Sequence, residues 1–350
     1  MKKVLIDLSI LKHLNCGLGQ VAYNYARYYQ EHAKDLNMEI HLLLPSSYVG
    51  AFGTAVHYHR CCFLYRMFPS LLPKFDVWHS IHQLSRYFPP RDRSTKNVLT
   101  IHDLNFLYEK NPNVQQKDLK KLKRKIDRAD KIVCISKYSR SDVEKNFQIQ
   151  QPIEMIYNGV EKISAEGEMK PQKVADSSRK FLFTIGQIYP KKNFHVLLDA
   201  MKLMPDYDLY IAGKDTTEYG EMIKKRIREE NISNVYIIGE VLHSEKLWLY
   251  NHCEAFVFPS LVEGFGLPII EVMHLGKPVV SSDKTSLSEI GGNHVFYLKS
   301  FEAQDIVDTI KMAIEKFYSD SSMAEENRRY AESFSYEKHL ERYIEIYNEI

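Results

Sequence analysis

Two glutamates on either side of a glycine-containing loop are the residues whose types and spacing best suit chemistry. Glu263 and Glu271 flank the segment G-F-G-L-P-I-I. Gly264 and Gly266 allow backbone N–H groups to approach a ligand closely, and Pro268 predicts the start of a helix, whose N-terminus favours an anion. Glu271 is predicted in the first turn of that helix, where the dipole alone stabilises a carboxylate. The whole string therefore predicts an anion-binding loop beside two carboxylates.

Two adjacent lysines provide candidate positive charge for an anionic ligand. Lys191 and Lys192 belong to the segment F-T-I-G-Q-I-Y-P-K-K-N, in which a strand is predicted to end near Gly186 and a helix to follow. Lysine at a helix start opposes the helix dipole, which favours an anionic partner over a purely solvated role. Charge-assisted hydrogen bonds from these ammonium groups would suit a diphosphate.

A second glycine pair follows the first predicted strand. Gly17, Gly19 and Ala22 have the G-x-G-x-x-A spacing of a dinucleotide-binding turn. That fingerprint also needs an acidic residue at the end of the next strand, where H-L-L-L-P-S-S supplies none. A nicotinamide-dependent enzyme is therefore disfavoured.

Histidines follow two predicted strands of the first half. His82 comes after D-V-W-H-S, and His102 with Asp103 comes after N-V-L-T-I. His79 and His82 have a metal-ligand spacing, but the sequence shows no convincing third ligand and no Asp-x-Asp pair at the position where a metal-dependent enzyme would need one, so no metal is predicted. Asp103 either contacts a ligand or caps a turn. The S-L-S-E string at residues 286–289 is predicted to be a helix-capping box without a catalytic role.

The cysteines and the hydropathy pattern predict a cytoplasmic protein. The five cysteines form no C-x-x-C pair, which argues against a disulfide framework or a thiolate zinc site; they are Cys16, Cys61, Cys62, Cys134 and Cys253. The opening M-K-K-V-L-I-D-L predicts a strand rather than a signal peptide, because Asp7 interrupts the apolar run. No apolar stretch in the sequence approaches the roughly 18 residues of a membrane-spanning helix.

Short β-branched runs alternate with helical patterns along almost the whole chain. Ten strands are predicted, from K-K-V-L-I-D-L to K-P-V-V-S-S-D, with helices between many of them, including residues 193–204 and 219–230. Alternation on this scale predicts an α/β fold in which helices cover parallel sheets. Ligands bind outside the carboxyl ends of such strands, where the candidate residues above occur.

One polar stretch interrupts this alternation and predicts a domain boundary. Residues 161–179 contain proline and glycine and have no apolar period. We therefore predict two Rossmann-like, doubly wound domains that face each other, over residues 1–170 and 171–334. Residues 335–350 are predicted to form a last helix that packs back on the body, because its apolar positions fall on one face.

The near-neutral net charge of +2 hides an uneven distribution. Residues 1–170 hold 26 lysines and arginines against 17 acidic residues, whereas residues 171–350 hold 21 against 28, so the halves carry +9 and −7. Such asymmetry describes surfaces and their partners rather than the fold.

Much of the positive excess lies in one predicted amphipathic helix. Residues 110–131, which begin with Lys110, contain nine cations and three acidic residues. The helix presents either a solvated basic face or a contact with an anionic membrane surface through residues 117–128, from Lys117 to Arg128. No nucleic-acid-binding motif accompanies the charge, so a nucleic-acid partner is not predicted.

The string E-G-F-G-L-P-I-I-E resembles the signature of retaining glycosyltransferases of the GT-B fold, in the large family-four group. The resemblance covers nearly the whole chain and implies two Rossmann-like domains around a central cleft. It implies that Glu263 is a catalytic residue beside the donor sugar and that Glu271 accepts hydrogen bonds from ribose hydroxyls. The backbone of Phe265, Gly266 and Leu267 would contact sugar or diphosphate oxygens.

The same resemblance gives donor-binding roles to residues after other strands. Lys192 matches the lysine that neutralises the diphosphate, and it is counted with the catalytic residues because it stabilises the leaving group. Gln187 stands where the family usually has an arginine, which leaves Lys191 to supply the missing charge. Gly186 belongs to the same donor-binding loop, and the loop near Val241 would meet the nucleotide base.

In the first half, I-H-D-L resembles the cleft motif of the family, in which the histidine approaches the donor sugar. His102 is therefore assigned as a catalytic residue. The loop that contains Gly17 and Gly19 would approach the diphosphate or the acceptor. His82 and Asp103 are assigned to the acceptor side.

These assignments predict a retaining hexosyltransferase that moves a sugar from a nucleotide-diphosphate sugar to a hydroxyl of a glycan or lipid-linked acceptor, in surface polysaccharide or lipopolysaccharide synthesis. The I-H-D-L and P-K-K-N variants resemble mannosyltransferases, which favours GDP-mannose over a UDP-sugar. No cofactor is predicted to be required. The alternatives are a UDP-sugar-dependent transferase, a GT-B epimerase and a non-catalytic sugar-nucleotide-binding subunit. The expected location is cytoplasmic, with peripheral contact at the inner face of the plasma membrane.

Overall fold

The computed structural model describes residues 1–14, 16–90, 94–109, 111–175 and 179–350. Lys110, the first cation of the predicted basic helix, and residues 176–178 of the predicted boundary lie outside these ranges. The chain divides into two compact units. The first unit contains Met1–Gly159 and Ser335–Ile350, and the second contains Val160–Phe334. Residues 161–170, which the sequence places in the first domain, belong to the second unit in this division.

Helices and strands alternate in both units. The first part of the chain contains β1 Lys2–Asp7, α1 Gly17–His32, β2 Met38–Leu44, β3 His57–Arg60, α2 Phe63–Met67, β4 Val77–Ser80, β5 Lys96–Ile101, α3 Phe106–Glu109, α4 Pro112–Ile126, β6 Lys131–Cys134, α5 Lys137–Asn146 and β7 Ile153–Met155. The remainder contains β8 Lys180–Ile185, α6 His195–Lys202, β9 Tyr207–Ala212, α7 Glu218–Glu229, β10 Val235–Gly239, α8 His243–His252, β11 Ala255–Phe258, α9 Leu267–His274, β12 Val279–Ser281, α10 Leu287–Gly291, β13 Phe296–Tyr297, α11 Ala303–Ser319, α12 Ser322–Glu332 and α13 Tyr336–Glu349.

Each unit is built around one parallel sheet. The strand order is β3-β2-β1-β4-β5-β6-β7 in the first unit and β10-β9-β8-β11-β12-β13 in the second. In both sheets the chain moves outward from the first strand, returns to its other side and continues, so the order reverses between β1 and β4 and between β8 and β11. Such a reversal opens a crevice at the carboxyl ends of the strands. The predicted α/β fold with two Rossmann-like, doubly wound domains is confirmed.

All ten predicted strands occur, and within the described ranges the structure contains three further short strands that the sequence did not predict. The missed strands are β3, β7 and β13, with sequences HYHR, IEM and FY. All three are at the edge of a sheet. Edge strands this short contain too few residues for a period-two hydrophobic pattern, which explains why the sequence did not indicate them.

Apolar side chains from strands and covering helices form the core of the second unit. Leu182, Ile211 and Val257 project from β8, β9 and β11 and belong to one buried cluster with Leu198 of α6 and Ile310 of α11. The helix predicted over residues 193–204 is shorter at both ends than expected. This cluster holds β8 and β11 in place, and the loops that follow these two strands carry the candidate site.

The C-terminal helix α13 belongs to the first unit and is attached to its sheet by a buried polar network. His79 on β4 lies with Nδ1 2.6 Å from the Tyr347 hydroxyl and Nε2 2.8 Å from Thr100 Oγ1. The Thr100 hydroxyl also lies 2.8 Å from that of Tyr343. Burial lowers the pKa of His79, so the ring is neutral and offers one donor and one acceptor, which these two partners satisfy. His79 therefore has a structural role.

The basic helix α4 uses several of its cations inside the first unit. Lys125 is buried, and its Nζ donates to the Tyr87 carbonyl oxygen at 3.0 Å. Lys121 and Arg128 donate to other backbone carbonyls of the loop between β4 and β5. Burial lowers the pKa of Lys125 to about 8. Neither sequence-based alternative for the stripe from Lys117 to Arg128, a solvated basic face or a membrane contact, describes these three cations, because they donate to carbonyl groups of the loop.

In the part of the chain that the structure describes, no helix has the length and apolar character needed to cross a membrane.

The His79 network generates a stability prediction. Tyr347→Phe should lower the free energy of unfolding of the first unit by about 1–2 kcal/mol, because it leaves a buried imidazole nitrogen without its partner. Urea unfolding followed by far-UV circular dichroism measures the change. The exposed Tyr23 provides a matched control on α1, and Tyr23→Phe should change the unfolding free energy by less than about 0.5 kcal/mol. Equal effects of the two variants would show that the buried network contributes nothing specific.

Candidate active site

The loops after β8 and β11 lie side by side at the point where the strand order of the second sheet reverses. β11 pairs directly with β8, so both loops leave the same edge of the sheet. The first loop runs from Gly186 through a 3₁₀ turn at Pro190–Lys192, and the second leads to α9. A backbone hydrogen bond from Leu261 N to Lys191 O, 2.7 Å long, joins them. Both predicted donor-binding strings therefore meet at one place.

A partly buried ion pair connects the two loops. Lys192 Nζ lies 2.5 Å from Glu263 Oε1, and the two side chains are only 12% and 13% exposed. The ammonium group also lies 4.8 Å from the centroid of the Phe258 ring, a favourable cation–π position. Because water is largely excluded, the attraction is screened less than in a surface pair. The structure thus brings together two of the three residues predicted to be catalytic.

Glycine is required beneath the lysine. A Cβ at Gly186 would lie 2.8 Å from Lys192 Cε, and the residue has φ of +156°. A Cβ at Gly213, directly after β9, would lie only 2.0 Å from the carbonyl oxygen of Gly186. The two glycines therefore allow the Lys192 side chain to lie across the ends of the strands. Gly186 was predicted from the sequence to be at the site, whereas Gly213 was not.

The backbone of Glu263 is fixed by the residues before α10. Its N–H donates to Thr285 Oγ1 at 3.0 Å, and Thr285 has a left-handed φ of 56°. The Ser286 hydroxyl is 2.9 Å from the Glu263 carbonyl oxygen and 3.1 Å from that of Phe265. The prediction that Ser286 caps the helix is wrong, because its side chain makes no capping bond to α10 and donates to the Glu263 loop instead.

Helix α9 starts directly behind this loop. Gly266 has a left-handed φ of 105°, and a Cβ there would lie 2.7 Å from Leu287 Cδ2. Leu267 begins the helix and Pro268 occupies its first turn, as the sequence predicts. Phe265 is buried, and its ring contacts Phe334 edge-on at 5.9 Å between centroids. Because the helix N-terminus is adjacent to the Glu263 loop, its partial positive charge favours an anion there.

The second glutamate is held by a neighbouring helix. Lys246 Nζ lies 3.0 Å from Glu271 Oε1, and the Tyr250 hydroxyl donates to Oε2 at 2.8 Å. Burial raises the pKa of Glu271, but the charge and hydrogen bonds of Lys246 and Tyr250 outweigh it, so the net pKa is lowered. The expected first-turn position is wrong: Glu271 is the fifth residue of α9, and no acidic residue occupies the first turn.

Sequence reasoning missed the partners of this glutamate. Lys246 and Tyr250 are four residues apart on α8, so they share one face of that helix. This spacing is common on helices. The two residues are identified as partners of Glu271 only by the packing of α8 beside α9. Val241, predicted to meet the nucleotide base, lies half-buried in the loop that leads from β10 into α8.

The glycines predicted in the first unit lie at the start of α1. Gly17 is the first residue of this helix, and it is exposed. A Cβ at Gly19 would lie 2.2 Å from the carbonyl oxygen of His13, so this glycine permits close packing of α1 against the preceding turn. Helix α1 follows β1 in the chain, and β1 lies at the reversal of strand order in the first sheet.

The histidine candidates of the first unit follow β4 and β5. His102 is buried, and its Nε2 lies 2.8 Å from the Ile81 carbonyl oxygen, while burial lowers the pKa of the ring to about 4. Its backbone N–H donates to the side chain of Gln83, which in turn donates to the Asp103 carbonyl oxygen. His82 lies half-buried in the same loop as Gln83. Gln83, missed from the sequence, therefore joins the two loops.

Asp103 caps a turn, which is one of the two roles predicted for it from the sequence. Its Oδ1 accepts a hydrogen bond from the backbone N–H of Asn105 at 2.9 Å. A contact of Asp103 with an acceptor stays a prediction.

Two Rossmann-like domains, each built on a parallel sheet, and a lysine–glutamate pair at the strand reversal of the second sheet are features of a GT-B glycosyltransferase. The family Glycosyl transferases group 1 matches residues 166–334, and Glycosyltransferase Family 4 matches residues 17–162. The chain therefore belongs to the family-four glycosyltransferases.

Related sequences come from archaea and bacteria. An uncharacterized glycosyltransferase of Methanocaldococcus jannaschii is 26% identical over 73% of this chain and 69% of its own length. The serotype-specific mannosyltransferase WbdA of Escherichia coli is 31% identical over 66% of this chain, but the match spans only 31% of WbdA. The O-antigen chain mannosyltransferase RfbU of Salmonella typhimurium is 27% identical over 61% of this chain and 60% of its own length.

Solved structures confirm the fold over the whole chain. Anabaena HepE, solved in complex with UDP and glucose, has a TM-score of 0.76 at 16% identity, with 100% of both chains covered. Sucrose-phosphate synthase from Thermosynechococcus elongatus has a TM-score of 0.75 at 15% identity, covering 100% of this chain and 99% of that one. At these identities the similarity establishes architecture.

The environment of Glu271 generates a pH-dependent prediction. Because its folded pKa is lowered from 4.5, its contribution to stability is present above that value and is lost as pH falls through the folded pKa. Lys246→Met removes the compensating charge and should lower the unfolding free energy by roughly 1–3 kcal/mol at about pH 7, with a much smaller loss at about pH 3.

Urea unfolding at the two pH values measures this difference. The matched control is Lys225→Met on α7, since Lys225 forms an exposed pair with Glu229 at 3.7 Å. The control should cost less than about 0.5 kcal/mol at either pH. A loss for Lys246→Met that is the same at both pH values would contradict the proposed electrostatic role.

Proposed function

We propose that the protein transfers a mannosyl unit from GDP-mannose to a hydroxyl of a glycan or lipid-linked acceptor, with retention of configuration, in surface polysaccharide or lipopolysaccharide synthesis. The observation that carries the proposal is the pair of glutamates, Glu263 and Glu271, each bound to a lysine beside the strand reversal of the second sheet. The names of the O-antigen mannosyltransferase relatives favour mannose and polysaccharide synthesis.

The nucleotide end of the donor would bind around Glu271. A carboxylate that stays ionised is a strong acceptor for two ribose hydroxyls, and the lowered pKa keeps Glu271 in that form. Lys246 and Tyr250 fix its orientation, so little side-chain freedom is lost on binding. The adjacent loop that contains Val241 would contact the base.

The diphosphate would bind between the two loops after β8 and β11. Lys192 supplies a cation, Lys191 a second one, and the N-terminus of α9 adds partial positive charge. Positive charge fixed in advance where the leaving group gains negative charge is an effective form of catalysis. Transfer is therefore proposed to need no divalent ion.

Glu263 would orient the sugar and support positive charge that develops on it. Thr285 and Ser286 hold its backbone, and Lys192 holds its carboxylate, so the side chain keeps one position. When a diphosphate binds, one N–H of Lys192 would donate to a phosphate oxygen while another still donates to Glu263. Glu263 would then lie beside both the phosphate and the sugar. The two residues then act as one unit.

The first unit would provide further contacts to the sugar and the acceptor. Burial lowers the pKa of His102 to about 4, so its ring is uncharged at neutral pH and offers hydrogen bonds to the sugar. The start of α1, with Gly17 and Gly19, would contact the diphosphate or acceptor, and His82 and Asp103 would contact the acceptor.

A UDP-sugar donor is the second candidate, because the structural neighbour HepE was solved with UDP-glucose. GT-B epimerase activity and a non-catalytic sugar-nucleotide-binding role have no comparable support, and the experiment below separates them.

The donor and the two central residues can be tested together. GDP-mannose should raise the melting temperature of the wild-type protein more than UDP-glucose does, because ligand binding stabilises the native state. Lys192→Met should abolish most of the shift. Glu263→Gln should keep the shift but lower transfer to an acceptor by about 100-fold or more. Added EDTA should leave the transfer rate unchanged.

The controls are two exposed residues of α11, Lys311→Met and Glu315→Gln, which should behave as wild type. Full transfer activity of Glu263→Gln would refute the proposed role. Release of free nucleotide and an altered sugar without any acceptor would indicate an epimerase, and donor binding without hydrolysis or transfer would indicate a binding subunit.

We further propose that the first unit contacts an anionic membrane from the cytoplasmic side. On α4, Lys117, Lys120 and Arg124 are exposed, in contrast to the inward-facing cations of the same helix. A second feature is an apolar surface segment over residues 63–71, in which five large side chains are each more than half exposed: Phe63, Leu64, Met67, Phe68 and Leu71. Contiguous exposed apolar surface of this kind marks an interaction site.

The charge around this apolar surface segment suits an anionic bilayer. Residues 60–75 contain Arg60, Arg66 and Lys74 and no acidic residue. Burial lowers the pKa of Lys121 on α4 to about 8, with Arg86 and Arg66 among the charges that add to this effect. The Tyr87 hydroxyl donates to the Cys62 carbonyl oxygen directly before the apolar segment, and the Tyr87 carbonyl oxygen accepts from Lys125 of α4, so the segment and the helix belong to neighbouring parts of the unit.

Vesicle sedimentation tests the membrane proposal. Wild-type protein should bind vesicles that contain phosphatidylglycerol and should bind pure phosphatidylcholine much less. Binding should fall at least about tenfold in a charge-reversed variant, Lys117→Glu, Lys120→Glu and Arg124→Glu. It should also fall in an apolar variant, Phe63→Ser, Phe68→Ser and Leu71→Ser. The control, Lys311→Glu with Met312→Ser on α11, should bind as wild type, and unchanged binding of both test variants would exclude the proposal.

A further inference from the structure

A cluster of metal-ligating side chains lies on the first sheet, apart from the candidate active site. Glu39 and His41 are on β2, and His57 and His59 are on the edge strand β3. The parallel register places His57 beside His41 and His59 beside Leu43. Because side chains alternate along a strand, Glu39 and His41 share one face of the sheet, and both histidines of β3 lie on that same face.

The ligand atoms of three of these residues converge. One oxygen of Glu39 and one nitrogen each of His41 and His57 lie within 4.8 Å of one another. His57 is exposed at the sheet edge, whereas His41 is only 7% exposed and stacks on His57 with 4.6 Å between ring centroids. The cluster therefore has a buried base and an open entrance.

The buried histidine directs an unpaired nitrogen into the cluster. His41 Nε2 has no hydrogen-bond partner among the described residues, although Glu39 Oε2 lies 3.6 Å away. That separation is too long for a hydrogen bond. A buried polar atom without a partner is costly, and such atoms in native proteins call for an explanation such as an ion.

The other nitrogen of the same ring is already engaged. His41 Nδ1 lies 3.0 Å from His59 Nε2. When Nδ1–H donates to His59, the lone pair of Nε2 points toward Glu39 and His57. Metal-binding histidines commonly have this arrangement, in which a hydrogen bond at one nitrogen fixes the tautomer that coordinates through the other.

Two imidazole nitrogens and one carboxylate oxygen suit zinc better than magnesium or calcium, which prefer all-oxygen sites. Around a tetrahedral Zn²⁺ the ligand atoms would be separated by roughly 3.3 Å, given bonds of about 2.0–2.2 Å. The His57 side chain is exposed, so it can move and bring its nitrogen to this distance from the other two ligand atoms. Lys3, which lies 3.6 Å from Glu39 and is half exposed, can move into solvent.

We propose that Glu39, His41 and His57 form a Zn²⁺ site that fixes the edge strand β3 to the sheet, with His59 as a positioning residue. Glu39 is the second residue of β2 and His57 is the first of β3, so the cluster lies toward the amino ends of these strands. The candidate substrate loops follow the carboxyl ends of β1, β4 and β5. The site would therefore act on stability of the first unit and not on transfer.

The test uses the 350-residue chain after removal of metal with EDTA. Titration with Zn²⁺ in competition with a chromophoric chelator should give one tight site per chain, and Co²⁺ should give the intense visible absorption of a four-coordinate complex. Zn²⁺ should raise the melting temperature, whereas Mg²⁺ should not. His57→Ala and Glu39→Gln should each lower Zn²⁺ affinity by about 100-fold or more, and His59→Gln by about tenfold.

His57 and Glu39 are used because both are partly or fully exposed, so the variants should fold, whereas His41→Ala alters the interior. The matched control is His32→Ala, a histidine of α1 outside the cluster, and it should bind Zn²⁺ as wild type does. Equal Zn²⁺ binding by wild type, His57→Ala and Glu39→Gln would overturn the proposal. So would binding that fails to saturate at one ion per chain, or an equal thermal shift with Mg²⁺.

Discussion

The ion pair between Lys192 and Glu263 is possible only because the strand order of the second sheet reverses between β8 and β11. The reversal places two loops, distant in sequence, at one edge of the sheet, and the pair joins them there. Supporting features follow from this requirement. Gly186 and Gly213 leave room for the lysine stem, while Ser286 holds the glutamate loop from the other side. The topology thus determines where the charged side chains of two loops can meet. The local sequence determines that these side chains are a lysine and a glutamate.

The two glutamates of the site are held in different ways, and this difference suits different tasks. Glu271 projects from a helix and receives both its partners, Lys246 and Tyr250, from a neighbouring helix. Such a carboxylate is rigid and stays ionised, which suits recognition of an unreactive group such as a ribose. Glu263 projects from a loop and pairs with Lys192, which under the proposed function also binds the diphosphate. A carboxylate whose partner can be redistributed suits the reacting end of the donor, where charge changes during transfer.

The sequence predicted the α/β fold, ten of the strands and the residues of the glutamate loop, because each depends on local patterns: alternation, glycine, proline and short strings. It did not predict Lys246 and Tyr250 as partners of Glu271, since their helical spacing is common and only packing selects them. Ser286 was wrongly assigned to a helix cap because the choice between a local amide and a distant carbonyl is made by tertiary structure. Lys125 was counted as surface charge for the same reason, although its methylene stem and ammonium group are enclosed by the loop after β4.

The first unit shows that counting charges overstates what a surface presents. The excess of +9 in residues 1–170 suggests a broad basic face, but cations such as Lys125 and Arg128 donate to backbone carbonyls inside the unit. Under the membrane proposal, attraction to an anionic surface would come from fewer exposed cations, and apolar contact would supplement them. The exposed apolar segment at residues 63–71 directly follows β3, the edge strand that carries His57. A metal ion that fixes this strand would also restrict the start of the apolar segment. Order at the amino end of the sheet and presentation of the segment to a bilayer would then be linked through the backbone of β3, without involving the residues that bind the donor.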